Sequence, residues 1–151
     1  MNRKIKNIIN ITAFLVCIGL INIAGQNIEI EIRGMNAFTF ILIVAVLLQI
    51  IFFIPSFLLK TEKYYDLVGS LTYIATVSLA YFSVENKTMI DSVIYFYVMI
   101  WASRLGIYLF TRVRNVGKDV RFEKAKRHFF YFLQYWMGQA LWVSLTACAA
   151  I

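Results

Sequence analysis

The chain has 151 residues, of which 61% are hydrophobic, 17% aromatic and only 15% charged, with a formal net charge of +7. Soluble domains are about half apolar and about a quarter charged, so this composition points to bilayer as the solvent and to an all-α, polytopic transmembrane bundle. Seven glycines, one proline, two cysteines and the lack of any low-complexity tract exclude a disordered chain, a collagen-like repeat and a disulfide scaffold.

A helix needs about 20 mostly apolar residues to cross about 30 Å of hydrocarbon. Five runs meet that requirement, approximately Asn7 to Gly25, Asn36 to Leu59, Tyr64 to Ser83, Met89 to Thr111 and Phe129 to Ile151. They predict a single transmembrane domain of about five spans, with a basic loop over 112–128. Arg3, Lys4 and Lys6 precede the first run, which also suits a signal peptide. Asn22 and Ile23 stand where a cleavage site after Ala24 or Gly25 needs a small residue, so an uncleaved helix is expected. Cys17 and Cys148 both lie inside apolar runs, which suggests neither a disulfide nor a metal site.

Positively charged short loops stay cytoplasmic. With the N-terminus inside, twelve of the fifteen basic residues fall on the inner side, and only Arg33 and Lys87 on the outer. The loop Thr111 to His128 alone holds Arg112, Arg114, Lys118, Arg121, Lys124, Lys126 and Arg127. Such a loop sets topology and attracts anionic headgroups, so membrane lipids are expected partners and nucleic acid is not. Asn86, Lys87 and Thr88 form a glycosylation sequon, expected to stay unused this close to the bilayer.

Ionisable groups inside a span are costly and mark function by default. Arg104 lies roughly 10 Å inside the cytoplasmic end of the fourth span, from its seven-residue distance to Thr111. Tyr97, Trp101, Arg104, Tyr108 and Arg112 recur at helical spacing and share one face. On the third span Asp66, Ser70 and Tyr73 share a face, and an Asp66 to Arg104 interaction is expected between these antiparallel neighbours. A charge-neutralised bundle contact, or an arginine reaching to the interface, accounts for the same residues. Tyr64, Tyr65, Tyr95 and Tyr131 read as interfacial anchors. Tyr135, Gln139, Trp142 and Thr146 read as a packing face of the last span, and His128 as solvated or facing headgroups. Arginine forks in the basic loop suit phosphate, from a dinucleotide or from lipid. No GxGxxG, Walker, HExxH, CxxC or GxSxG pattern occurs.

Three ordered segments, TEKYYDLVGSLTYI (Thr61 to Ile74), RLGIYLFTRVRNVGKDVRFE (Arg104 to Glu123) and QALWV (Gln139 to Val143), resemble the N-terminal part of the steroid 5-alpha-reductase-like membrane proteins, and more closely that superfamily's branch classed as a domain of unknown function. The resemblance implies a helical bundle in which NADPH enters from the cytosolic side and donates hydride to an activated double bond of a lipid-like or steroid-like substrate. It implies that Asp66, Arg104, Arg112, Lys118, Asp119 and Arg121 line the cofactor side. The carbonyl-polarising acid stays open, with Tyr73 and Tyr97 as candidates. The family's Arg-His-Pro-Asn-Tyr motif, which follows a later helix, is absent from these residues. The bundle is therefore expected to be incomplete at its C-terminus and inactive alone, with a partner subunit able to supply missing helices. A non-catalytic membrane protein that binds anionic lipid or a partner subunit through the basic loop is the alternative. A proton-coupled transporter is disfavoured because Asp66 and Asp91 both lie near helix ends.

Overall fold

A computed structural model of the chain describes residues 31, 32, 34–117 and 122–148, with positions 8, 12, 15, 16, 18, 19 and 23 in the first 30. Apart from those positions, the expected first span over 7–25 lies outside the described residues. The remainder is all-α apart from one small hairpin. Strands β1 (Glu31–Ile32) and β2 (Met35–Asn36) pair antiparallel, with Ile32 opposite Met35. Gly34, at φ +72°, takes the left-handed conformation that such a tight turn needs. The hairpin stands where the sequence suggested only a loop, and it buries Ile32 against Ala37 and Ile41.

Four helices follow: α1 (Ala37–Leu58), α2 (Tyr65–Ser83), α3 (Met89–Val116) and α4 (Phe129–Ala147). Asn36 caps α1 by accepting the Phe38 N–H at 3.0 Å. Pro55 falls near the end of α1, and Lys60, at φ +49°, turns the chain away. Helix α3 opens with a capping box, in which Thr88 accepts the Asp91 N–H while the Asp91 carboxylate accepts the Thr88 N–H. Asp91 is thus a cap, and its place at the edge of an apolar run needs no partner within the bundle. Gly117, at φ +82°, ends α3 in the left-handed cap. Helix α3 therefore runs five residues past the expected span, so Arg112 and Arg114 are helical rather than part of a loop.

Helix α2 is the hub. It packs on α3, on α1 and on α4, while α1 also packs on α4 and the main contact of α3 is α2. Contacts pair Tyr65 with Tyr135, Gly69 with Gln139 and Tyr73 with Thr146, so α2 and α4 run parallel; α1 and α3 run the other way. Polar and small side chains gather at the helix seams, and large apolar ones also cover the outer faces. Toward their neighbours the helices turn Ala45, Gln49, Ser56, Ser70, Thr72, Thr76, Ala102, Ala140 and Ser144, all buried, while Ile43, Leu47, Ile51, Ile54, Leu71, Leu79, Ile90, Ile100, Phe130 and Trp142 face outward. Small and hydroxylated residues at the seams let the backbones approach closely.

Among the described residues two helices, α1 and α3, are by length and composition long and apolar enough to cross a membrane. Helices α2 and α4 have 19 residues each. Their seams carry the Ser, Thr, Tyr and Gln that lower their mean hydropathy, which is why an uncharged run does not itself establish a span. The bundle is helical as expected, and about five spans is more than length and composition establish.

The buried core falls into two apolar clusters. One gathers Ile41, Tyr73, Val77, Ala80, Ala102 and Val143; the other gathers Phe53, Val68, Phe122, Ala125, Phe132 and Trp136. Between them lies a polar layer in which Gln49 donates to Thr72 Oγ1 at 3.1 Å.

Candidate functional site

The basic segment between α3 and α4 is anchored more firmly than its charge suggests. Phe122 is buried between Tyr65 and Tyr135, with ring centroids 4.7 and 4.9 Å away. A short 3-10 turn, Ala125–Arg127, follows, and Lys126 forms an ion pair with the buried Glu62 at 2.7 Å. Neither anchor was singled out from the sequence. The usable signal was Phe122 and Ala125, two apolar residues three apart inside a basic run. Glu62→Gln is expected to cost about 1–2 kcal/mol, less than the roughly 3–5 of a fully buried pair, because the Lys126 side chain keeps 24% exposure. Faster tryptic cleavage at Lys124, Lys126 and Arg127 would report it. An unchanged cleavage rate would show that the pair does not hold the turn down.

At the same end of the bundle Asp66 stands in the first turn of α2, where a carboxylate is stabilised by the helix dipole. Its Oδ2 lies 4.0 Å from Nη2 of Arg112, and their side chains keep 12% and 46% exposure. The expected Asp66 to Arg104 interaction is thus replaced by one between Asp66 and Arg112. The reason is rotational. The seam of α3 against α2 is made by Ala102, Gly106 and Val113, all buried, and Ser70 of α2 donates to the Ala102 carbonyl. Arg104 lies two residues from both Ala102 and Gly106, about 200° around the helix at 3.6 residues per turn. It therefore points away from α2, whereas Arg112 flanks the seam.

Arg104 is exposed and makes no hydrogen bond or ion pair among the described residues. Around it runs an open groove of about 790 Å³, lined by Met99, Ile100, Ser103, Ile107, Tyr108 and Thr111. All of these belong to α3, so the groove follows one helix face: apolar walls, two hydroxyls, a phenol and one guanidinium. The stripe from Tyr97 to Arg112 is present as a face, with Tyr97 72% exposed and Trp101 and Tyr108 also exposed. Arg104 and Arg112 are two turns apart, roughly 12 Å along the axis.

The two candidate acids are in different surroundings. Tyr73 is 6% exposed. Its hydroxyl meets Thr146 Oγ1, and its ring stands edge-on to Trp101 with centroids 5.0 Å apart. Thr146 gives its own hydrogen to the Trp142 carbonyl at 2.8 Å, so Tyr73 is the donor in that contact. Tyr97 lies on the open face of α3, one turn from Trp101. Lys118, Asp119 and Arg121 lie outside the described residues. Of the residues assigned to a cofactor side, Asp66 and Arg112 are brought together and Arg104 is set apart on the groove. No group of three or more metal-ligating side chains occurs among the described residues.

No curated protein and no solved structure matches the chain. A family model described as a protein of unknown function, DUF1295, matches residues 52–151, from the last turns of α1 through α2, α3 and α4. That match takes in the Asp66 and Arg112 pair, the Arg104 groove and the anchored basic segment, and over this length the chain belongs to the DUF1295 family.

Proposed function

We propose that the protein is a multi-pass integral membrane protein and forms the N-terminal helical part of an NADPH-dependent reductase of unsaturated, lipid-like molecules. The observation that carries the membrane reading is the apolar outer surface of the helices. Aliphatic and aromatic side chains on every outer face would cost heavily in water, and buried hydroxyls at helix seams are what a lipid solvent selects. The reductase reading rests on the resemblance of the three segments around Asp66, Arg104 and Gln139, together with the arginines at one end of the bundle.

The residues fit a phosphate-bearing cofactor. Arg112 is half open, its charge partly offset by Asp66, and Arg104 has a guanidinium with no partner among the described residues. Lys118, Asp119 and Arg121 complete the set in this reading. When bound, NADPH supplies hydride to the double bond. The chain's own part is to hold phosphate at the arginines, to lay an apolar substrate along Met99, Ile100 and Ile107, and to offer a phenol, Tyr73 or Tyr97, as proton donor to the substrate's carbonyl.

Charged hydrogen bonds contribute roughly 1.5–3 kcal/mol, so Arg104→Ala and Arg112→Ala are each expected to weaken NADPH binding by about tenfold or more. Titration of the full natural protein in nanodiscs measures this. Unchanged affinity in both variants removes these residues from the site.

The groove also supports a second reading, a non-catalytic protein that binds anionic lipid, because an unpartnered arginine between apolar walls suits a headgroup with its chain. Thermal stabilisation by anionic but not zwitterionic lipid, lost on Arg104→Ala and without nicotinamide binding, would favour it.

A further inference from the structure

The polar layer between the two apolar clusters contains unusual chemistry. Among the described residues, three buried side-chain atoms have no hydrogen-bond partner: Gln49 Oε1, Gln139 Oε1 and Trp136 Nε1. They come from one stretch of the three-helix core. Phe53 and Tyr65 hold the Trp136 ring, with centroids 6.3 and 5.3 Å away. One turn further along each helix stand Gln49 on α1, Gly69 on α2 and Gln139 on α4, and the Gln139 amide is seated against Gly69.

The orientation of the Gln49 amide is fixed by its neighbour. Thr72 Oγ1 gives its hydrogen to the Val68 carbonyl at 2.7 Å, so toward Gln49 it can only accept. Nitrogen Nε2 therefore faces Thr72 and Oε1 is left as an acceptor. The layer thus holds two acceptors without donors and one donor without an acceptor. A water molecule is the complement of that set, with two hydrogens for the glutamine oxygens and a lone pair for the indole N–H. Buried waters sit where two to four polar groups meet, and these three side chains stand within about one turn of each other along the core. The need is stronger in a lipid-solvated bundle, where no outside water satisfies a stray group.

We propose that one buried water binds at the junction of α1, α2 and α4, donating to Gln49 Oε1 and Gln139 Oε1 and accepting from Trp136 Nε1. Gly69 is part of the design, since a Cβ there would lie 2.8 Å from Cδ of Gln139 and displace the amide. The water ties α1 to α4, whose glutamines do not bond one another directly, while Gln49 bonds Thr72 of α2, and it sets their register as an inserted polar group does in a coiled coil.

Nitrogen-15 labelling of tryptophan in the full chain in nanodiscs, with Trp136→Phe assigning the resonance, tests the proposal. Magnetisation transfer from bound water to the Trp136 indole proton is expected, and it should be lost in Gln49→Leu although Gln49 lies on a different helix. Thermal unfolding gives a second readout. Gln49→Leu and Gln139→Leu should each lower Tm, and the double variant should lower it by clearly less than the sum. An indole proton without water contact in the natural chain overturns the proposal. So do additive Tm changes, which would mean that each glutamine acts alone. The first measurement needs no glutamine variant to fold.

Discussion

Gly106→Leu should pry α3 from α2 and lower stability by about 3 kcal/mol or more, the upper end for overpacking a seam. A methyl at this position already meets Ser70, with the Ser70 Cβ at 2.6 Å. A β-carbon is fixed to its backbone, so no side-chain rotation relieves the contact and the helices themselves must separate. Separation also breaks the Ser70 hydrogen bond to the Ala102 carbonyl. Gly106→Ala is expected to lose about 1–3 kcal/mol by the same route. Adding Ser70→Gly to Gly106→Ala should recover most of that loss, because the colliding atom is removed. The unfolding midpoint in detergent measures all three. If Ser70→Gly fails to rescue, the seam does not lie where Ala102, Gly106 and Val113 place it. Gly69→Ala is a milder case, since it meets only the side-chain end of Gln139, which rotation can shift where the backbone cannot.

Trp136→Ala should cost about 3–5 kcal/mol, as large-to-small changes of buried aromatics do. The Trp136 side chain is fully buried and joins α1, α2 and α4 through Phe53, Tyr65 and Phe132. Its removal leaves a void where three helices meet, and those helices cannot collapse into it without shifting the Gln49 to Thr72 bond. Trp136→Phe keeps most of the volume and should cost much less. Equal losses for the two variants would show that the indole N–H, rather than the ring, is what matters at this position.

Four of the five expected helices were legible in the sequence because apolar runs carry them, although the end of α3 at Gly117 was not, and the first run lies largely outside the described residues. Asn36, Thr88 and Gly117 each mark an end through local chemistry that needs no distant partner. Depth along a span follows from counting residues and rotation does not: Arg104 points away from α2, where Asp66 stands. The groove residues share helical spacing and could be listed from the sequence, yet their lack of a neighbour depends on which side of α2 is already occupied. Gln49 sits in an otherwise aliphatic run, where a window average hides one amide. Gln139 was read as a packing residue, and its contact with Gly69 agrees. The β1 and β2 hairpin rests on two residue pairs and one glycine, too short to leave a periodic signal.

The position of α3 also bears on the order of assembly. Its main contact is α2, the preceding helix, across the short connection 84–88. Contacts that close small loops form early and at low entropic cost. The α2 and α3 hairpin is therefore an early folding unit, its seam of Ser70, Ala102 and Gly106 complete before α4 leaves the ribosome. The cluster around Phe53 and Val68 has no such independence, because Phe132 and Trp136 arrive last. A chain halted before α4 would hold a finished hairpin beside an α1 whose Gln49 has met Thr72 alone, with Gly69 not yet covered by Gln139. Synthesis of α4 is thus the step that closes the cluster around Phe53 and Val68.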